Sequence, residues 1–167
     1  MRSSSFVAVA FLSLISIIPT IAQESARISE IQAKAFNSKT GTFSEDLLAA
    51  GAPELGNMPS GEMASVSTFV IVKVEFGKGS PIPQNAKIRL VATENNSLPF
   101  AEKKAKQGKR IILDTSNKLG PVDQNGATYV GFWLHTTDCR TIALSATLTG
   151  LAKTSTMSEI LPFTCYE

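Results

Sequence analysis

The side chains that could do chemistry are few, and their spacing rules out more than it suggests. The chain holds two cysteines, Cys139 and Cys165, and a single histidine, His135. A zinc hydrolase normally uses two or three imidazoles, and neither an H-E-x-x-H helix nor a G-x-S-x-G elbow is present. A Ser-His-Asp arrangement would have to pair His135 with a serine that no motif marks. Two cysteines without nearby His or Cys partners cannot supply four zinc ligands. They read instead as one disulfide, Cys139–Cys165, which would add about 3 kcal/mol by restricting the unfolded chain.

Carboxylates narrow the field further. The four aspartates, Asp46, Asp114, Asp123 and Asp138, fall in different segments. A calcium site needs several of them to converge, because Ca²⁺ takes about six to eight oxygens. Asp123 and Asp138 could share an end of the molecule with Asp46, but the spacing does not demand it. Paired acids of the glycosidase kind are conceivable, and no pair is singled out. The expectation is no catalytic residue, no metal and no cofactor.

Binding chemistry is better represented. Tyr129, Gly131, Trp133 and His135 alternate with the apolar Val130, Phe132 and Leu134. If the apolar set faces the core, Tyr129, Trp133 and His135 lie on the outer face of one strand. Flat rings with polar tips there suit a carbohydrate or a protein partner. The competing expectation is that Trp133 packs in or near the core, as large aromatics usually do. A second candidate is basic: Lys103, Lys104, Lys106, Lys109 and Arg110 could bind an anionic surface or polymer. Such runs are more often solvated faces. Without interleaved aromatics beyond Phe100, they do not suggest single-stranded nucleic acid. Asn95-Asn96-Ser97 matches the N-glycosylation acceptor pattern, which acts only in a eukaryotic export route.

The start of the chain sets the compartment in which those groups would work. Arg2 precedes an apolar run from Phe6 to Ile18, followed by Pro19-Thr20-Ile21-Ala22. A basic start, a hydrophobic segment and small residues before the cut are the marks of a secretory signal peptide. Residues 1–22 are therefore expected to be removed, leaving 23–167 as a single domain that is secreted or periplasmic. A disulfide persists in such compartments. No second apolar run approaches the length of a bilayer span, so no transmembrane segment is expected after cleavage. The formal net charge is +2 for 167 residues, and loss of Arg2 lowers it by one. That balance gives no reason to expect nucleic acid as a partner.

The elements that must position these residues are strands. Val66, Thr68, Val70, Val72, Val74 and Phe76 share one parity, with Phe69 and Ile71 on the other face suggesting cover on both sides. Period-two patterns recur over Ile28–Phe36, Ile88–Thr93, Lys109–Asp114, Val130–His135, Ile142–Thr149 and Leu161–Cys165. Asn125-Gly126 marks a tight turn, since both residues tolerate positive φ. Ser44 to Leu48 could form one helical turn capped by Ser44, and 97–108 reads as a short helix entered through Ser97 and Pro99. Ala49 to Ala64 has no period and reads as a long loop. The fold class is all-β: an antiparallel two-sheet sandwich, immunoglobulin-like or C2-like, of about seven strands plus one short helix. The runner-up is a small closed barrel. Function follows as an exported, non-catalytic module that binds a partner or ligand at a loop or sheet face. The alternatives are an assembly subunit that pairs through an edge strand, or a small carboxylate-dependent hydrolase of envelope or extracellular material.

Overall fold

Alternation along the chain becomes alternation of burial. Val70, Val72 and Val74 are fully buried, while Phe69, Ile71, Lys73 and Glu75 between them reach solvent. The computed structural model describes residues 26–53, 55–56, 67–77, 83–95, 109–135 and 140–164. Within them the strands are β1 (Arg27–Asn37), β2 (Thr42–Phe43), β3 (Leu55–Gly56), β4 (Thr68–Glu75), β5 (Lys87–Asn95), β6 (Lys109–Lys118), β7 (Ala127–Leu134), β8 (Ile142–Thr149), β9 (Ser155–Leu161) and β10 (Phe163–Thr164).

Two four-stranded antiparallel sheets result, ordered β2-β1-β4-β7 and β6-β5-β8-β9, with a parallel β3–β10 pair beside them. The core between the sheets comprises Ile31, Ala33, Val70, Val72, Val130 and Phe132 from the first, and Ile88, Leu90, Ile142, Leu144, Leu148 and Leu161 from the second. Each fully buried Leu or Ile contributes about 1.5–3 kcal/mol to holding the layers together. Of the seven long strands, the first, second and fifth share one sheet, and the third, fourth, sixth and seventh share the other. This is an immunoglobulin-like strand order with the fourth strand carried across to the second sheet. It is a sandwich of the expected class.

Departures from the sequence reading are local. The last long strand starts earlier than expected: β9 spans Ser155–Leu161, and the segment expected as the final strand, Leu161–Cys165, holds its end and β10 (Phe163–Thr164). Its residues STMSEI carry little apolar signal because most are exposed at the sheet edge. β6 runs on to Lys118, and its Ile111-Ile112-Leu113 run is explained by a bulge between Ala92 and Thr93 on the partner strand register. The bulge leaves Ile111 60% exposed while Ile112 and Leu113 pack on the core. A turn does follow Ser44, but Asp46 starts it: Asp46 Oδ1 accepts from Leu48 N at 3.1 Å, and Ala49 N donates to Asp46 O at 3.2 Å. The Ser44 hydroxyl instead accepts from Ala35 N at 2.9 Å. The helix expected over 97–108 lies outside the described residues.

Among the described residues, the lateral margins of the sandwich carry contacts or an irregularity. Segment 43–48 lies along β1, with Ser44 N donating to Ala35 O, Leu47 N to Ala33 O, and Ala33 N to Asp46 Oδ1 at 2.8 Å. Across one open side, Ile28 N donates to Ser155 Oγ at 3.2 Å, tying β1 to β9. Across the other, Asn117 Nδ2 donates to Gly131 O at 3.0 Å, tying β6 to β7. The rest of β6 is broken by its bulge and bears Lys109, Arg110, Asp114 and Lys118, which discourages strand addition.

Candidate functional site: an aromatic face on the first sheet

Register decides which side chains meet on the outer face of the first sheet. Phe69 on β4 lies opposite Lys34 on β1 and Trp133 on β7; Ile71 lies opposite Gln32 and Gly131; Lys73 lies opposite Tyr129. On β1 and β2, Phe36 lies opposite Phe43. Phe36, Phe43, Phe69 and Trp133 therefore converge at one end of the face, and every pairing among them except Phe36 with Phe69 places the ring centroids 4.9–5.8 Å apart. The rings are tilted or edge-on to one another, which is favourable for aromatic quadrupoles. His135 continues the row, its ring near-parallel to Trp133 at 6.3 Å.

A gap in β7 makes the arrangement possible. The Phe69 ring lies over Gly131, and a Cβ at that position would collide with Phe69 Cζ. Glycine within a strand marks a place where something else approaches closely. Here that neighbour is a ring from the adjacent strand, which brings Phe69 against Trp133 at 4.9 Å. Even so packed, the cluster is open to solvent: Phe43 is 46% and Trp133 38% exposed. Tyr129, beyond Gly131, is exposed as well. Both earlier readings of Trp133 thus meet in one geometry, outward-facing and partly covered by neighbouring phenylalanines. β7 is the edge of its sheet rather than a central strand, and Trp133 lies on its outward side.

The other half of the same face is ionic. Glu75 Oε2 accepts from Arg27 Nη2 at 2.9 Å, and Glu75 Oε1 lies 3.0 Å from Lys73 Nζ. Hydrogen bonds from Lys73 and Arg27 hold the Glu75 carboxyl below its usual range, and Glu75 in turn raises Lys73. These three charged groups gather away from the rings, while Lys34 stands in the aromatic row opposite Phe69.

The remaining sequence candidates are distributed as follows. Arg110 forks onto Glu94 through Nε at 2.8 Å and Nη2 at 3.1 Å, and Arg140 Nη1 reaches the same carboxylate at 3.4 Å. Glu94 is fully buried at the end of the second sheet, so both arginines serve as its counter-charges. Lys109 is exposed; Lys103, Lys104 and Lys106 lie outside the described residues, as do Cys139, Cys165 and Asp138. Asp123 Oδ1 accepts from Asn125 N and Ala127 N, shaping the Asn125-Gly126 turn, where Gly126 has φ of +82°. Asp46 is engaged with Ala33 and Leu48, and Asp114 takes a bidentate contact from Arg89 that holds its carboxyl low. A general acid needs a raised pKa, the reverse of what Glu75 and Asp114 have. Among the described residues, no three His, Cys, Asp or Glu side chains come together as a metal site, and no helix is long and apolar enough to cross a membrane.

Sequence reasoning placed Tyr129, Trp133 and His135 on one face of a strand, but it did not place Phe36 and Phe43 beside Trp133. Phe69 was visible as an outward residue of its strand; its contact with Trp133 depended on strand order, which the sequence did not carry. Compared with protein-family models and with curated proteins, the chain matches none, so the functional reading rests on its own geometry.

Proposed function

We propose that this chain is an exported, non-catalytic β-sandwich module that binds a protein partner through the aromatic half of its first sheet. The observation that carries this reading is the solvent-open cluster of Phe36, Phe43, Phe69 and Trp133 on an outer sheet face. Contiguous apolar area of this kind marks interaction surfaces, and Trp is prominent among residues that dominate binding energy. A carbohydrate is less well served. Three of the four rings are phenylalanines without polar tips, and sugar hydroxyls buried there would lack partners. Edge-strand assembly has less support, because the sandwich margins are tied or bulged. A hydrolase has less support too, since Glu94, Glu75 and Asp114 are committed to arginine or lysine.

The export part of the proposal rests on the leader and the cysteine pair. Ile142 pairs with Leu161, so the chain towards Cys139 and the chain towards Cys165 leave the same end of the β8–β9 pair. Alkylation and mass measurement of the native exported protein should find no reactive thiol. Cys139→Ser should cost about 3 kcal/mol in urea unfolding while leaving partner binding intact. Two free thiols would remove the bridge from the proposal. Binding itself is tested by immobilising the mature chain and passing over it the exported proteins of its native host. Wild type should retain a specific protein that Phe43→Ser loses; equal retention by both chains would end the proposal.

A further inference from the structure

Phe43 owes its place in the aromatic cluster to very little pairing of its own. Its strand, β2, is two residues long and meets β1 through Phe36 opposite Phe43 and Asn37 opposite Thr42. A hairpin that short is marginal by itself. Phe43 is also half-exposed, so burial does not pin its ring. The chain that follows does the holding. Ser44 N donates to Ala35 O at 2.9 Å and Leu47 N to Ala33 O at 2.7 Å, which serves two carbonyls of β1. The amides of the same two residues are served by side chains: Ala35 N donates to Ser44 Oγ at 2.9 Å, and Ala33 N to Asp46 Oδ1 at 2.8 Å. Both acceptors are also fixed from their own side. Asp46 Oδ1 accepts from Leu48 N at 3.1 Å, and the Ser44 hydroxyl donates to Glu45 O at 2.7 Å. Leu47, buried in the core, anchors the far end of this strap.

We infer that Asp46 and Ser44 are positioning residues of the aromatic site: through the strap 43–48 they hold Phe43 against Trp133. This deepens the protein-binding reading above and rests on it. Ala33 is fully buried and Ala35 nearly so, which leaves their N–H groups without ready access to water. A buried N–H deprived of its acceptor costs free energy until something else satisfies it. With the Asp46 oxygen removed, the strap must draw away from β1 until water reaches Ala33 N. Phe43 stands at the start of the strap and moves with it. Its ring centroid lies 5.6 Å from that of Phe69 and 5.8 Å from that of Trp133, and ring contacts of this kind are too weak to resist. Phe69 and Trp133 stay where they are, because the β4–β7 ladder carries them independently of the strap. The aromatic surface thus has a fixed part on β4 and β7 and a part set in place by two oxygen atoms.

NMR of the purified mature protein tests the inference, reading nuclear Overhauser contacts between the Phe43 and Trp133 rings and hydrogen exchange at the Ala33 amide. Wild type should show the ring contacts. In Asp46→Ala they should vanish, with Ala33 exchanging about tenfold faster or more. Asp46→Asn keeps an oxygen at the same place and should restore both readings. Ser44→Ala should weaken the same ring contacts and speed exchange at Ala35, which covers the case in which Asp46→Ala does not fold. Ile142→Val, a core change in the second sheet, should lower the urea midpoint without disturbing the rings. Ring contacts and exchange unaltered in Asp46→Ala overturn the inference, as does their equal loss in Asp46→Asn or Ile142→Val. Binding separates this claim from the one beneath it. If Asp46→Ala loses the ring contacts yet retains the exported host protein that wild type retains, the docking surface falls and the strap's hold on Phe43 stands.

Discussion

The two sheets present outer surfaces built on different physics. On the first, the outward positions at one end are aromatic rings that touch one another and remain open to water. On the second, outward positions are hydroxyls and charges that find partners locally: Thr147 with Thr156, Ser145 with Ser158, and Arg89 with Asp114. Ile111 and Ile160 are its exposed aliphatic side chains. Both surfaces cap the same core, so the contrast is not required by folding. The second surface leaves apolar area only as separate aliphatic side chains among paired hydroxyls and charges, whereas the first gathers its apolar area into touching rings. It follows that changes to the second sheet should act mainly on stability, and changes to the first mainly on association.

The sharpest way to break that contrast is at Glu94. Arg110→Ala would leave a fully buried carboxylate with Arg140 at 3.4 Å as the remaining arginine contact. Removing one partner of a buried ion pair is expected to cost about 3 kcal/mol, read as a lowered urea midpoint. Partner binding by the folded protein should be unchanged; a loss of binding without loss of stability would invert the comparison. Next in size is Gly131→Ala. The new methyl must push the Phe69 ring off β7, at a cost of about 1–2 kcal/mol. Because Phe69 touches Trp133, the emission spectrum should change as well. An unaltered spectrum would mean that the ring is not held there. Phe43→Ser removes three ring contacts on a half-exposed side chain and should cost only about 1 kcal/mol, yet it should have the largest effect on association.

The smallest effect is in pH. Glu75 and Asp114 have folded-state pKa values below their ordinary 4.5 and 3.8. Their stabilisation is complete above those ordinary values and is lost as pH falls through the lower folded ones. Thermal melts should therefore decline with acidification in that range. Asp114→Asn or Glu75→Gln should flatten the decline, since each removes one titrating carboxylate. A decline of the same depth in both variants would assign acid sensitivity to other groups.

Much of the fold was legible because period-two burial is written directly into residues such as Val70, Val72 and Val74 or Ile142, Leu144 and Leu148. What escaped were features that depend on a neighbour. β9 is polar because most of its outward residues face solvent at an edge, so its pattern lacks contrast. The three apolar residues Ile111, Ile112 and Leu113 make sense only with a bulge in the pairing. The site was half legible for the same reason. Tyr129, Trp133 and His135 share a strand and could be read together, whereas Phe36 and Phe43 reach Trp133 only through the order β2-β1-β4-β7. No local signal in the sequence specifies that order.

The hydrogen bonds that tie the margins of the sandwich have a consequence for crowded solution. Where a border strand is already engaged by a neighbouring element, an incoming chain finds fewer free backbone groups to pair with, so growth by strand addition is discouraged even where the polypeptide is concentrated.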